Sequence, residues 1–95
     1  MPDARLRAVI KGVVQGVGFR FFVVRRAQRL KLTGWVRNVG HDRVETLAEG
    51  ERDALNAFLE ELRVGPTSAS VSKVDVQWDK PTHEFTGFNV VHEDW

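Results

Sequence analysis

The sequence predicts an α+β fold of the ferredoxin-like, split βαβ kind: a β-α-β-β-α-β order with one short extra C-terminal strand, and an antiparallel sheet carrying two helices on one face. Three observations predict it. Residues 5–13 alternate and run through a glycine-rich turn into a segment of helical spacing. Two further alternating runs flank Gly40-His41-Asp42, and a second helical stripe ending at Gly65-Pro66 precedes another alternating run at 71–78. A strand-helix-strand crossover within one sheet makes strands one and two run parallel. The end of the first strand and Asn38, at the end of the second, then meet at the same edge of the sheet.

In the first strand Leu6, Ala8 and Ile10 point one way and Arg5, Arg7, Val9 and Lys11 the other, the pattern of a half-buried strand. Gly12, Gly16 and Gly18 follow. Phe19, Phe22, Val23, Ala27 and Leu30 form the stripe of a helix over about 20–31, with Arg20, Arg25 and Arg29 largely off it. Thr33-Gly34 breaks that pattern, Trp35 to Val39 is the second strand, and Arg43 to Ala48 returns as the third. Leu55, Phe58, Leu59 and Leu62 are the stripe of the second helix, which Gly50 starts and Gly65-Pro66 stops, with Glu51 and Asp53 in its first turn. Phe22 and Phe58 are expected to meet between helices and sheet. Thr67 to Ser70 links to a fourth strand, Val71 to Trp78; Asp79 to His83 is loop, and Gly87 to Val91 a short last strand.

With 95 residues the chain is expected to be one domain, 1–95. No stretch reaches the ~18 apolar residues that span a membrane, and Met1-Pro2-Asp3-Ala4-Arg5 leads into no signal-like apolar region. A cytoplasmic monomer is the expectation. Zero cysteines exclude disulfides and a thiolate nucleophile. The net charge of +1 conceals an asymmetry, +7 over residues 1–47 and −6 over 48–95. A basic first half suits an anionic ligand, although Arg25, Arg26 and Arg29 read equally well as the solvated face of a helix.

The glycine-rich turn is the strongest chemical feature. Glycines before a helix let consecutive N–H groups converge, and the helix start adds partial positive charge, so the turn suits a phosphate or carboxylate. Gly18 is followed by Phe19-Arg20 rather than Lys-Ser/Thr, which argues against an NTPase loop, and the third glycine of a dinucleotide fingerprint is missing. His41, His83 and His92 lack ligand spacing, so no metal is expected. Arg20 offers a rigid fork of donors for phosphate, and Asn38 can hold and orient a water but cannot take its proton. No general base is evident. The pair therefore suits a substrate whose leaving group departs unprotonated, such as the carboxylate of an acyl phosphate, with a conjugate-acid pKa of about 4. The plain structural reading remains beside this one: Asn38 as a strand-end residue, Arg20 as a surface charge set against the helix dipole, and Gln15 as a local donor in its loop.

Val14-Gln15-Gly16-Val17-Gly18-Phe19-Arg20 resembles the first signature of acylphosphatases, and Gly34-Trp35-Val36-Arg37-Asn38 with Val44-Glu45 resembles the second. Ala27, Leu30, Gly50, Phe58, Leu59, Gly65-Pro66, Ala69, Val71 and Val74 extend the likeness over roughly residues 8–78. The resemblance implies a hydrolase of carboxyl-phosphate bonds without metal or cofactor. It implies that the loop of Gln15, Gly16, Val17, Gly18, Phe19 and Arg20 binds the phosphate, with Arg20 and Asn38 as catalytic residues, the latter orienting the attacking water. Two departures stand out: Gly40-His41-Asp42-Arg43 replaces the Asp-Gly hairpin usual in the family, and Lys31 stands where glycine is common. Other readings are a unit resembling the acylphosphatase-like domain of carbamoyl-transfer maturation proteins, acting on carbamoyl phosphate, and a ferredoxin-like module for single-stranded nucleic acid. The last lacks the exposed aromatic pattern such modules use, so no nucleic-acid partner is expected.

Overall fold

The computed structural model describes residues 3–92. Strand β1 (Asp3–Val13) buries Ala4, Leu6, Ala8 and Ile10 on one face and turns Arg5, Arg7 and Lys11 to the other. The remaining elements are α1 (Phe19–Arg29), β2 (Thr33–Val39), β3 (Arg43–Glu51), α2 (Arg52–Val64), β4 (Ser70–Asp79) and β5 (Phe88–Val90). The sheet order is β4-β1-β3-β2-β5. β1 pairs antiparallel with both β3 and β4, and β2 pairs antiparallel with β3, so β1 and β2 run parallel with β3 between them.

The expected antiparallel sheet holds for β1 to β4 but not for β5, which joins β2 in parallel, with Gly34 opposite Phe88. The cause is where the chain crosses. β4 ends opposite Arg5, near the start of β1, and the N–H groups of Thr82 and His83 donate to Glu49 at 2.8 and 2.9 Å as the chain passes that end of the sheet. It thus enters β5 beside the start of β2 and can only run the same way. Two boundaries also shift. β3 continues to Glu51 because it stays paired as far as Asp3, so Gly50 lies in a strand opposite Ala4 and not at a helix start. α1 ends at Arg29 because Lys31 turns left-handed at φ 60°, with its N–H on Gln28 O at 3.1 Å and that of Leu32 on Ala27 O at 2.9 Å.

Both helices cover the face that carries Leu6, Ile10, Val36 and Val44, and Phe19, Val23, Phe58 and Leu62 fill the space between. Burying each such side chain contributes about 1.5–3 kcal/mol. The expected meeting of Phe22 with Phe58 is replaced by two other pairs. Phe22 lies 5.8 Å from Phe19, and Phe58 of α2 meets Phe88 edge-on at 6.1 Å, because β5, packed against α1, brings an aromatic side chain into the core.

On the open face, Glu45 and Glu49 are buried and compensated. Arg7 and Arg37 converge on Glu45, the latter through Nε at 2.8 Å and Nη2 at 2.7 Å. Arg5 Nε donates to Glu49 at 2.7 Å. Burial alone would push the Glu49 carboxyl up, but the Thr82 N–H, the Arg5 guanidinium and the His83 N–H together hold it below the ordinary carboxylate value. Its hydrogen bond to Glu49 chiefly raises Arg5 in turn.

Candidate active site

The site begins where β1 ends. Val14 is buried and anchors the turn, after which Gly16 at φ 73° and Gly18 at φ 75° take left-handed conformations that a side chain would strain. Gly18 is the N-cap of α1 and brings no capping side chain. The N–H groups of residues 15–18 find no acceptor among the described residues. Those at the start of α1 have no partner within the helix either, since the first turn of any α-helix leaves its donors over. The turn therefore presents a run of donors with the positive end of a helix behind it.

Arg20 sits in that first turn, half-buried, with no hydrogen bond or ion pair to any described residue. No acidic residue shares the first turn. A cation there opposes the helix dipole. An anion in the loop would reverse the sign of that interaction.

Asn38 comes from the end of β2, on the helix-covered side of the sheet, opposite Val44. Its Oδ1 is buried and accepts no hydrogen bond from the described residues. Leaving such an acceptor unpaired costs about 1–3 kcal/mol. Two tethers fix the hairpin that carries Asn38 against the glycine turn. The Gly12 N–H donates to Asp42 O at 3.0 Å, and Gln15 Nε2 reaches the carbonyls of Arg43 at 2.9 Å, Gly40 at 3.1 Å and Val39 at 3.4 Å. The departure in the hairpin sequence thus leaves its tie to the loop intact. Gln15 has its side chain committed to this hairpin, so what it can offer a ligand is its backbone N–H.

These elements enclose a groove of about 400 Å³ lined by Gln15, Gly16, Gly18, Phe19, Arg20 and Asn38. Of the residues expected in the site, Val17 alone does not line it; its side chain packs against the core. Phe19 is almost wholly buried and serves as the anchor of α1. Phe21, Val90 and His92 also line the groove, and sequence reasoning did not place them there. Phe21 had a readable signal, an aromatic side chain off the helix stripe, and it is 66% exposed. Val90 and His92 arrive through the parallel pairing of β5, for which the sequence carries no local sign. His92 is exposed and no described residue orients it by a hydrogen bond. A larger groove of about 500 Å³ opens beside Arg5 and Arg7, but both guanidinium groups there are matched by Glu49 and Glu45. Among the described residues no three His, Asp or Glu side chains gather as metal ligands. No helix of the described residues is long and apolar enough to cross a membrane.

A run of unpaired donors, an unmatched guanidinium and an unpaired acceptor along one groove suit a tetrahedral anion attacked by a held water. Comparison with known proteins gives the family. The family model described as acylphosphatase matches residues 6–90. The acylphosphatase of Salinibacter ruber is 49% identical over 88 residues, 93% of each chain. The crystal structure of acylphosphatase from Bacillus subtilis superposes with a TM-score of 0.89 at 39% identity, covering 93% of this chain and 98% of that one. The chain also matches 12% of HypF from T. kodakarensis, at 30% identity and a TM-score of 0.80 over 95% of its own length. The chain belongs to the acylphosphatase family.

Proposed function

We propose that this protein hydrolyses the carboxyl-phosphate bond of small acyl phosphates, releasing a carboxylate and inorganic phosphate, and that it does so as a cytoplasmic monomer. The observation that carries the reading is that one groove is lined by both Arg20, whose guanidinium is unmatched among the described residues, and Asn38, whose Oδ1 is unpaired. The phosphoryl oxygens accept hydrogen bonds from the N–H groups of the glycine turn and from the forked donors of Arg20. Asn38 accepts a hydrogen bond from a water and aims its oxygen at phosphorus, in line with the bond to the carboxyl oxygen. The new O–P bond forms as the P–O bond to the acyl group breaks, and the electron pair leaves on the carboxylate. The proton of the attacking water passes to a phosphoryl oxygen of the substrate. Such a loose transition state asks for positioning and charge stabilisation more than for a base.

Among the described residues no general acid is oriented in the groove to protonate a leaving group, and this decides between substrates. A phosphate monoester leaves as an alkoxide and needs a proton; an acyl phosphate does not, since its leaving carboxylate has a conjugate-acid pKa of about 4. Acetyl and carbamoyl phosphate both satisfy this requirement. A nucleic-acid role on the open face is disfavoured, because the arginines there are matched by Glu45 and Glu49 and Trp35 is already stacked on by Arg37 at 5.3 Å.

The test is phosphate release from benzoyl phosphate in the presence of a chelator. Wild type turns over, and Arg20→Ala lowers kcat/KM by about a thousandfold while circular dichroism is unchanged. Equal turnover by wild type and variant removes Arg20 from the account.

A further inference from the structure

The charge pattern of α1 exceeds what the phosphate groove uses. Its eleven residues include four arginines and no acid. Arg26 is held in place by Glu61 at 3.2 Å and lies over the Phe22 ring at 4.8 Å. Arg25 lies over the exposed Phe21 ring at 5.8 Å, and neither it nor Arg29 has a carboxylate partner among the described residues. Arg25 and Arg29 stand one helical turn apart, a spacing at which like charges repel. Around these side chains opens a second groove of about 270 Å³, and two of the residues lining it, Gly18 and Phe21, also line the phosphate groove. The two grooves therefore share a wall at the start of α1. Along the helix, Arg25 lies on the order of 10 Å from Gly18.

We infer that the groove of Arg25, Arg26 and Arg29 is a second anion subsite, taking a phosphate, phosphonate or carboxylate at the far end of the acyl group. The preferred substrates are then acyl phosphates with two anionic ends, the short acyl chain crossing the Phe21 ring. The aromatic rings under Arg25 and Arg26, and Glu61 beside Arg26, restrict these two guanidinium groups before the substrate arrives. Repulsion between Arg25 and Arg29 is relieved when the anion binds. This inference rests on the hydrolase reading above and adds the class of substrate.

Two substrates and two proteins test it. Butanoyl phosphate carries one anionic end, and ω-phosphonobutanoyl phosphate carries two on the same chain. Wild type is expected to favour the second in kcat/KM by about tenfold, the size of one charge-assisted hydrogen bond. In Arg25→Gln with Arg29→Gln that preference falls to near unity through a higher KM. The double variant should still handle butanoyl phosphate within about twofold of wild type, because neither residue touches the phosphate groove and glutamine keeps the helix propensity. A preference retained in the double variant overturns the subsite, as does an equal loss for both substrates, which would mark a general field effect. Equal kcat/KM for the two substrates in wild type overturns the subsite alone. No turnover of butanoyl phosphate by wild type overturns the hydrolase reading, and the subsite with it.

Discussion

In the proposed mechanism, Asn38 is where stability and function pull in opposite directions. Its buried, unpaired Oδ1 costs the fold what it offers to a water. Asn38→Ala should lower kcat by about a hundredfold or more. The variant should be as stable as wild type or up to about 1 kcal/mol more stable by urea denaturation, and phosphate should still raise its melting temperature. Loss of phosphate protection together with turnover would mean that Asn38 binds the phosphate and does not position water. His92 gives the contrast. It lines the same groove but is exposed, and no described residue orients it. Where a phosphoryl oxygen of the substrate receives the water's proton, His92→Gln changes kcat only a few-fold; a loss on the order of a general base's hundredfold would contradict that proton route. Arg20 and Asn38 were legible in the sequence because a local motif marks one and the crossover rule brings the other to it. The role of Gln15 was less so: a donor in a loop could be read, but its acceptors lie 24 to 28 residues away on the hairpin.

At the scale of elements, the end of α1 carries a residue that the geometry does not favour. Lys31 is left-handed at φ 60° and donates the inner hydrogen bond of a helix-terminating motif that glycine fills at least steric cost. The family resemblance marks position 31 as one where glycine is common; only the dihedral angle says that lysine is strained there. Lys31→Gly should stabilise the fold by about 1 kcal/mol, measured by denaturant midpoint, with kcat/KM unchanged. An unchanged or lower midpoint would mean that the lysine makes a compensating contact. Periodicity and turn signals found every strand and helix, because each turns side chains toward the core between helices and sheet. It could not find the direction of β5, which depends on where residues 80–87 cross the sheet, nor the extension of β3 to Glu51, which depends on its pairing with Asp3.

Across the whole molecule, the opposed charges of the two halves of the sequence come to lie beside one another. Arg5 meets Glu49 and Arg26 meets Glu61, while Arg20, Arg25 and Arg29 stay unmatched among the described residues along α1. A modest net charge thus coexists with a local field for anionic substrates. The compensated carboxylates carry a pH dependence of their own. Glu49 is held below its ordinary value in the folded protein, so the unfolded chain binds its proton more readily. Its stabilising contribution is complete above the unfolded pKa of about 4.3 and is lost as pH falls through the folded value. Glu49→Gln should cost about 2 kcal/mol at neutral pH and flatten the loss of stability below about pH 4; an unchanged acid limb in the variant would place the titrating group elsewhere. The central claim, water held by Asn38 attacking phosphorus in a phosphate held by Arg20, is tested most directly by isotope position. Hydrolysis of acetyl phosphate by the wild-type protein in ¹⁸O-water, followed by mass spectrometry of both products, should place the label entirely in inorganic phosphate, and label in the acetate would show attack at the carbonyl carbon and contradict the account.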